Sequence, residues 1–256
     1  MPAMSLTTLY CGDPHGRFDH INRAANHVRA ATVVLLGDME AQRPLELELG
    51  PLLEGNIEVF WIPGNHDSDS DAAYSTLWNS KLADRNIHGR VVMMRNGQRI
   101  AGLGGVFREV VWYPDPAAAR SGSPAFRTRV EHAKATPRKD RWQGGHHRRH
   151  WGTIYPDEVD RLAELQADVL VTHEAPGYHQ PAGFDVLDTL AQALGVKVTV
   201  HGHHHDNIDS SARWIEQGFK SFGVGLRGIT AIDEAGNAEV IVPGELDAQR
   251  EARARP

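Results

Sequence analysis

Short apolar runs alternate, in the first third of the chain, with segments whose apolar positions recur every three or four residues. The short runs predict buried strands, and the periodic segments predict amphipathic helices. The predicted strands are 6–11, 32–36 and 57–62, and the predicted helices are 18–29, 45–53 and 71–82. Alternation of this kind is typical of βαβ units and indicates an α/β protein with a largely parallel inner sheet.

The pattern changes after residue 90. Two runs, 91–95 and 99–103, flank Asn96-Gly97, which is a strong signal for a β-hairpin. Residues 107–152 show no clear period and are predicted to be an insertion of loops and short helices. Helices are then predicted at 156–165 and 186–194, and strands at 169–172, 196–200, 213–215, 227–232 and 238–242. We expect the last three strands to belong to a second, more antiparallel sheet.

Length and composition predict one globular domain over residues 1–256, ending in a charged tail at 245–256. No apolar stretch approaches the roughly 20 residues that a membrane-spanning helix needs. The N-terminus lacks the basic region of a signal peptide, and Cys11 is the only cysteine, so we expect a cytoplasmic protein without disulfides. A net charge of −6 makes a dedicated nucleic-acid binder less favoured.

Polar side chains directly follow five of the predicted strands. The five clusters are Asp13-Pro14-His15-Gly16, Gly37-Asp38, Gly64-Asn65-His66-Asp67, Thr172-His173 and Gly202-His203-His204-His205. The carboxyl ends of parallel strands share one edge of an open α/β sheet, which is where ligands bind. We therefore expect these clusters to converge on one point.

The clusters supply carboxylate and amide oxygens together with imidazole nitrogens. This mixed set suits Mn²⁺, Fe²⁺, Zn²⁺ or Ni²⁺, and it is too rich in imidazole for a Mg²⁺ or Ca²⁺ site. Thiolates are absent from the clusters, which excludes a structural zinc finger. The ligands are too many for one ion and suffice for two ions that share a carboxylate, an arrangement suited to displacement at phosphorus.

The ordered blocks DxHG, GD, GNHD, H and GHxH resemble those of the calcineurin-like metallophosphoesterases. They span residues 13–205 and occur in the order that is found in that family. The resemblance implies a four-layer αββα sandwich, in which two mixed sheets are flanked by helices. It also implies a dinuclear metal centre, for which Mn or Fe is favoured, and hydrolysis of a phosphate mono- or diester by a metal-bridging hydroxide.

Carried over position by position, the family's pattern implies a role for each cluster. The ligands of the first metal are Asp13, His15 and His205. The ligands of the second metal are Asn65, His173 and His203, and Asp38 bridges the two metals. His66 is implied to face the substrate, as a general acid or as a clamp on the phosphoryl oxygens, and Asp67 is expected to orient it. Where many members carry an acidic residue three positions after the bridging aspartate, this chain has Ala41, with Glu40 beside it.

In an extended chain, successive side chains point to opposite faces, which divides the histidines at the end of the last block into two groups. His204 should lie on the face opposite to His203 and His205, and His201 lies further back in the strand. We therefore assign structural roles to His201 and His204. Glu174, which directly follows another candidate ligand, is equally compatible with supporting that ligand and with being solvated.

The insertion carries an excess of positive charge on an acidic protein. Residues 120–150 contain nine Lys or Arg against two acids. One interpretation is a cap over the metals, in which Arg148 and Arg149 bind substrate phosphate together with Asn65. The other interpretation is a solvated surface loop.

The substrate predicted from the sequence is a phosphorylated small molecule or nucleotide, without a membrane partner. A nuclease is an alternative that the basic insertion favours and that the overall charge disfavours. A serine/threonine protein phosphatase is another alternative, because residues 12–16 resemble the opening block of those enzymes. A non-catalytic scaffold is disfavoured because the ligand set and His66 are intact.

Overall fold

Ten β-strands form two mixed five-stranded sheets in the computed structural model, which describes residues 7–114, 123–180, 182–247 and 249. The first sheet has the order β10 (Ala238–Val242), β9 (Ile229–Ile232), β1 (Thr8–Cys11), β2 (Thr32–Leu35) and β3 (Glu58–Trp61). The second sheet has the order β4 (Arg90–Met93), β5 (Arg99–Leu103), β6 (Val169–Thr172), β7 (Val198–His201) and β8 (Lys220–Gly223). Strands β1 to β3 run parallel, as do β5 to β8, and the remaining pairings are antiparallel.

The described residues form eight α-helices. They are α1 (Asp19–Val28), α2 (Leu45–Glu48), α3 (Gly50–Glu54), α4 (Asp71–Trp78), α5 (Arg129–Ala135), α6 (Pro156–Ala163), α7 (Asp185–Leu194) and α8 (Trp214–Gln217). Helices α1 to α4 pack on the outer face of the first sheet, and α6 and α7 pack on that of the second. Short 3₁₀ segments occur at Ala83–Arg85, Arg138–Asp140, Arg148–Gly152 and Ser211–Arg213. None of the helices within the described residues is both long and apolar enough to span a bilayer.

Alternation of side chains along the strands produces the layers. In β1, Leu9 and Cys11 pack against the helices of the first sheet, whereas Tyr10 points into the core between the sheets. Leu103 of the second sheet packs outward against α6 and α7. The predicted four-layer αββα sandwich is therefore confirmed.

Most predicted elements are present, with two differences of detail. The predicted helix at 45–53 is split into α2 and α3, because Pro51 lies in the first turn of α3 and has no N–H to continue the preceding helix. The hairpin forms as predicted, and Gly97 takes the left-handed conformation that its turn requires. The described part of the insertion consists of turns, α5 and 3₁₀ segments. Most of the predicted tail lies outside the described residues, as does Arg120.

The prediction for the last strands is wrong in two respects. Residues 213–215 are not a strand, because they lie in the turn and short helix that end at Gly218, and the strand that pairs with β7 is Lys220–Gly223. The last three strands also do not share one sheet. Strand β8 extends the second sheet in parallel, whereas β9 and β10 complete the first sheet beside β1. Local periodicity predicts a strand but does not specify its partner, which is decided by the free edge available in the fold.

Candidate metal centre

The five polar loops meet at the edge where the carboxyl ends of the parallel strands of both sheets lie. The first sheet supplies Asp13, Asp38 and Asn65 from the loops after β1, β2 and β3. The second sheet supplies His173 from the loop after β6, and His203 and His205 from the loop after β7. Ligand atoms of Asp38, His173 and His203 all lie within 4.8 Å of one another, which is compatible with a shared cation.

His173 lies at the centre of the cluster and contacts both sheets. Its Nε2 atom is 3.4 Å from Asp38 Oδ2 and 3.2 Å from Asn65 Oδ1. Its Nδ1 atom is 3.7 Å from Asp13 Oδ1. The imidazole of His173 therefore joins the three oxygen ligands that come from the first sheet.

A second group of ligands lies on the other side of Asp13. His205 Nε2 is 3.8 Å from Asp13 Oδ2 and 3.2 Å from His15 Nε2. The backbone N–H of His203 donates to Asp13 Oδ2 at 2.8 Å. The structure thus brings together all seven of the side chains that the sequence predicts as metal ligands.

The ligand loops have unusual backbone conformations. Five of the seven predicted ligands have positive φ angles, between 34° and 67°: Asp13, His15, Asp38, His203 and His205. This left-handed region is unfavourable for residues with a side chain and costs on the order of 1–3 kcal/mol each. Strain of this kind is typical of functional sites, where the surrounding fold holds a side chain in one direction.

Two glycines allow the loops to approach one another. A Cβ atom at Gly64 would lie 2.1 Å from Asp38 Oδ1, and one at Gly37 would lie 2.4 Å from His173 Nδ1. Neither distance is possible for a real side chain. The glycines of the GD and GNHD blocks are therefore required for the ligands to meet.

Hydrogen bonds fix the orientation of two imidazole ligands. His173 Nδ1 lies 2.7 Å from the carbonyl oxygen of Leu36, which can only accept, so Nδ1 carries a proton and Nε2 is the nitrogen that faces the other ligands. His15 Nδ1 contacts Glu40 Oε2 at 2.5 Å, which likewise directs Nε2 inward. A carboxylate or carbonyl behind an imidazole is the usual support of a metal-bound histidine. This role of Glu40 is not predicted from the sequence, where Glu40 is noted only as the neighbour of Ala41.

The centre concentrates buried negative charge that suits a cation. Asp13 and Asp67 are fully buried, and Asp38 is nearly so. Burial raises the pKa of Asp13 to about 7. Burial also disfavours the charged form of Asp38, but the charge of His173 outweighs it and holds the pKa of Asp38 below its usual range. Asp13 Oδ1 accepts no hydrogen bond from any described residue. A divalent cation would satisfy this oxygen and balance the carboxylates, so the residues fit a metal site.

His66 lies beside the ligands with its ring half exposed. Its backbone N–H donates to Asp38 Oδ1 at 2.8 Å, and its ring centroid is 5.9 Å from that of His15. Its Nδ1 atom contacts Asp69 Oδ2 at 2.7 Å. This position is open to a substrate that reaches the ligand cluster.

The contact predicted between Asp67 and His66 is wrong, because Asp69 makes it. The carboxylate of Asp67 turns inward and accepts from the backbone N–H of Gly64 at 2.7 Å and of Glu40 at 3.2 Å. Asp67 therefore ties the loops after β2 and β3 together. A turn places the Asp69 carboxylate against the His66 ring. Asp69 belongs to none of the motifs in the sequence.

Arg148 and Arg149 differ in what they contact. Arg148 donates through Nε to the carbonyl oxygen of Ser68 at 3.1 Å and through Nη2 to that of Asp69 at 2.7 Å, and it also pairs with Asp71. Its guanidinium is therefore used to hold the loop that follows His66. Arg149 is exposed, and its carbonyl oxygen accepts from Ser68 Oγ at 3.3 Å. These contacts join the basic insertion to the metal centre.

His201 and His204 each make a contact with a side chain outside the predicted ligand set. His201 is buried, and its Nε2 lies 2.6 Å from the hydroxyl of Tyr178. His204 stacks on His179 with ring centroids 4.1 Å apart. Glu174 is buried rather than solvated, and its Oε2 lies 3.7 Å from His203 Nε2.

The fold and this site define a metallophosphoesterase. The family model described as calcineurin-like phosphoesterase matches residues 6–207. The chain therefore belongs to the calcineurin-like phosphoesterase family and is a metal-dependent phosphate-ester hydrolase.

Relatives cover nearly the whole chain. An uncharacterised protein of Haemophilus influenzae is 38% identical over 229 residues, which are 90% of this chain and 94% of that protein. The crystal structure of TT1561 of Thermus thermophilus is similar with a TM-score of 0.58 and 14% identity, covering 92% of this chain and 98% of that one. A dimetal phosphatase from Danio rerio is similar with a TM-score of 0.52 and 12% identity, covering 93% and 99%. At these identities the two structures support the fold alone.

Proposed function

We propose that this protein hydrolyses a phosphate ester of a small molecule or nucleotide with two divalent metal ions, Mn or Fe being favoured over Zn or Ni. The observation that carries the proposal is the convergence of seven oxygen and nitrogen ligands around Asp38 and His173. A dinuclear centre needs this many ligands, and it needs one carboxylate that can be shared.

The proposed ligand sets follow the two groups of contacts. The ligands of one ion would be Asp13, His15 and His205. Those of the other ion would be Asn65, His173 and His203, with Asp38 between the two. Bound divalent ions of this kind lower the pKa of water toward neutrality and balance charge on phosphoryl oxygens. Asn65 would also be close enough to the reacting phosphate to donate through its amide.

His66 would act as the general acid for the leaving oxygen. Because its Nδ1 contacts Asp69, its Nε2 is the atom that would carry a proton to the substrate. Burial lowers the pKa of His66, but the hydrogen bond with Asp69 and the charge of Asp38 outweigh it, so the pKa lies above its ordinary value. A raised pKa favours the protonated ring, which is the state a general acid needs.

The test is a metal-reconstituted activity screen. Purified protein is stripped with a chelator, loaded with Mn²⁺, and assayed on p-nitrophenyl phosphate, bis-p-nitrophenyl phosphate, nucleotides and oligonucleotides. Wild-type protein should turn over at least one of these, chelation should remove the activity, and Mn²⁺ should restore it. Asp38→Asn should abolish turnover and reduce the bound metal, since it removes the shared carboxylate.

The matched control is Asp84→Asn, which makes the same change at an exposed aspartate in a 3₁₀ segment. This variant should keep wild-type activity and metal content. If wild type and Asp38→Asn are equally inert, or equally active, the proposed function is rejected. Activity on oligonucleotides alone would favour the nuclease alternative.

A further inference from the structure

Two arginines near the metal centre are connected through two buried side chains. Arg108 Nε donates to Thr153 Oγ1 at 3.1 Å, and His150 Nδ1 lies 3.2 Å from the same oxygen. Arg149 Nε donates to His150 Nε2 at 3.4 Å. We call these four residues the arginine bridge. It joins the loop after β5 to the segment of the insertion that contacts the His66 loop.

The direction of the hydrogen bonds shows that the centre of the bridge is neutral. Arg149 Nε can only donate, so His150 Nε2 accepts, and the ring proton resides on Nδ1, which donates to Thr153. This arrangement requires an uncharged imidazole. Burial, followed by neighbouring positive groups that include Arg149, lowers the pKa of His150 to about 2. His150 and Thr153 therefore hold two cations at a fixed separation without neutralising either one.

Arg108 lies on the metal side of the bridge. The N–H of the preceding residue, Phe107, donates to Glu174 Oε1 at 3.1 Å, and Glu174 in turn contacts His203. The carboxylates of Asp69, Glu174 and Asp38 are close enough to act on the charge of Arg108. Burial and the nearby Arg149 lower the pKa of Arg108, which means that this environment destabilises the charged guanidinium.

Neither guanidinium forms an ion pair with a carboxylate in the described part of the chain. The hydrogen bonds of the two side chains use their Nε atoms, and both donors point into the bridge. The terminal NH₂ groups are the part of a guanidinium that forms the paired hydrogen bonds to a phosphate. Arg108 is partly buried and Arg149 is exposed, and neither guanidinium is paired directly with a carboxylate of the described residues, so both can bind an anionic ligand.

We propose that Arg108 and Arg149 together bind the terminal oxygens of a phosphate monoester dianion and give the enzyme a preference for monoesters over diesters. The proposal rests on the proposed function of the metal centre. A monoester has three terminal oxygens and a charge of about −1.5 to −2 at neutral pH. A diester has one terminal oxygen fewer and a single charge, and its second ester group would face the two cations. The metal ligands alone do not distinguish these substrates, whereas the guanidinium pair does.

The experiment compares two esters with the same leaving group. Mn²⁺-loaded wild type, Arg108→Ala, Arg108→Lys and Arg149→Ala are assayed on p-nitrophenyl phosphate and on bis-p-nitrophenyl phosphate. Wild type should prefer the monoester. Arg108→Ala should reduce kcat/KM for the monoester by about 10- to 100-fold, the range expected for a lost charge-assisted hydrogen bond, and should change the diester little. Arg108→Lys should recover only part of the loss, because an ammonium cannot donate as a fork.

Arg138→Ala is the matched control, since Arg138 is an exposed arginine in the same insertion. It should leave both substrates unchanged. The proposal is overturned if wild type prefers the diester, or if Arg108→Ala reduces both activities equally. Should Arg108→Ala lose its cooperative thermal unfolding, Arg108→Lys and Arg149→Ala decide the outcome.

A binding measurement separates failure of this proposal from failure of the proposed function. Inorganic phosphate is titrated calorimetrically into the Mn²⁺-loaded proteins, which requires no turnover. Phosphate should bind wild type about tenfold or more tightly than Arg108→Ala. If wild type hydrolyses neither ester, the proposed function fails, yet this difference in affinity would still support the arginine pair. Equal affinities for phosphate would overturn the pair whatever the activity.

Discussion

The metal loops and the basic insertion meet at His66, but different interactions build them. In the metal loops, carboxylates accept from backbone N–H groups of neighbouring loops, as Asp38 does from His66 and Asp13 from His203. In the insertion, a guanidinium donates to backbone carbonyls: Arg129 contacts the carbonyl oxygens of His150 at 2.7 Å and Thr153 at 2.9 Å. One region is organised around buried anions and the other around a partly buried cation.

The two regions also balance these charges differently. Arg129 pairs with Glu158, whose side chain is 5% exposed and which also lies 3.2 Å from His88. Helix α6 therefore supplies the counter-ion of the insertion's Arg129, whereas a bound cation would balance the buried carboxylates of the metal loops. Substitutions in the loops should consequently affect chemistry first, and substitutions at the Arg129 pair should affect stability first.

After the loss of turnover expected for Asp38→Asn, the largest expected effect is that of His66→Ala on activity. Loss of a general acid should reduce kcat/KM by about 10²- to 10⁴-fold on an alkyl phosphate, whose leaving oxygen needs a proton. The loss should be much smaller on p-nitrophenyl phosphate, because p-nitrophenolate departs readily without one. Steady-state kinetics on both substrates, with bound metal measured in parallel, test this prediction. Equal losses on both substrates would indicate that His66 clamps the phosphoryl group instead.

The next largest effect should be that of Glu158→Gln on stability. Removing Glu158 leaves Arg129, which is 27% exposed, without its counter-ion, and we expect the free energy of unfolding to fall by about 3 kcal/mol at neutral pH, the lower end of the range for fully buried pairs. Urea denaturation of both proteins measures the change. The control is Asp160→Asn on the same helix, because its pair with Arg127 is exposed and should contribute less than about 1 kcal/mol. Similar losses for the two variants would contradict the distinction between buried and exposed pairs.

The contribution of Glu158 should also depend on pH. Burial disfavours its charged form, but the neighbouring side chain of His88 and the guanidinium of Arg129 outweigh burial and hold the pKa of Glu158 below its ordinary value of 4.5. A carboxylate with a lowered pKa in the folded state stabilises the protein above the unfolded pKa, and this stabilisation is lost as the pH falls toward the folded pKa. The difference between wild type and Glu158→Gln should therefore be constant above about pH 5.5 and shrink progressively below about pH 4.5. A difference that grew on acidification would contradict this assignment.

The sequence predicts the metal loops far better than it predicts the insertion. Polar residues placed after apolar strands converge because parallel strands end at one edge, so Asp13, Asp38 and His173 could be assigned to one site from periodicity and motif. Arg108 and Asp69 could not, since neither belongs to a motif and each acquires its role through contacts with a distant segment. The order of the last strands could not be predicted from local patterns either, because pairing depends on which sheet edge the rest of the fold leaves open.

The smallest expected effect is that of Arg148→Ala, which lies where the insertion contacts the His66 loop. One interpretation of the sequence makes Arg148 a substrate ligand, whereas its contacts with Ser68, Asp69 and Asp71 indicate that it anchors the insertion to the His66 loop. Hydrogen bonds and an ion pair at a partly exposed position should stabilise the conformation of the His66 loop by about 1 kcal/mol. Their loss should therefore reduce kcat/KM by less than about tenfold. Because the anchor acts through the loop, mono- and diester substrates should be affected equally. A selective loss on the monoester, of the kind expected for Arg108→Ala, would restore Arg148 as a substrate ligand and would mean that the insertion presents three arginines to the phosphate.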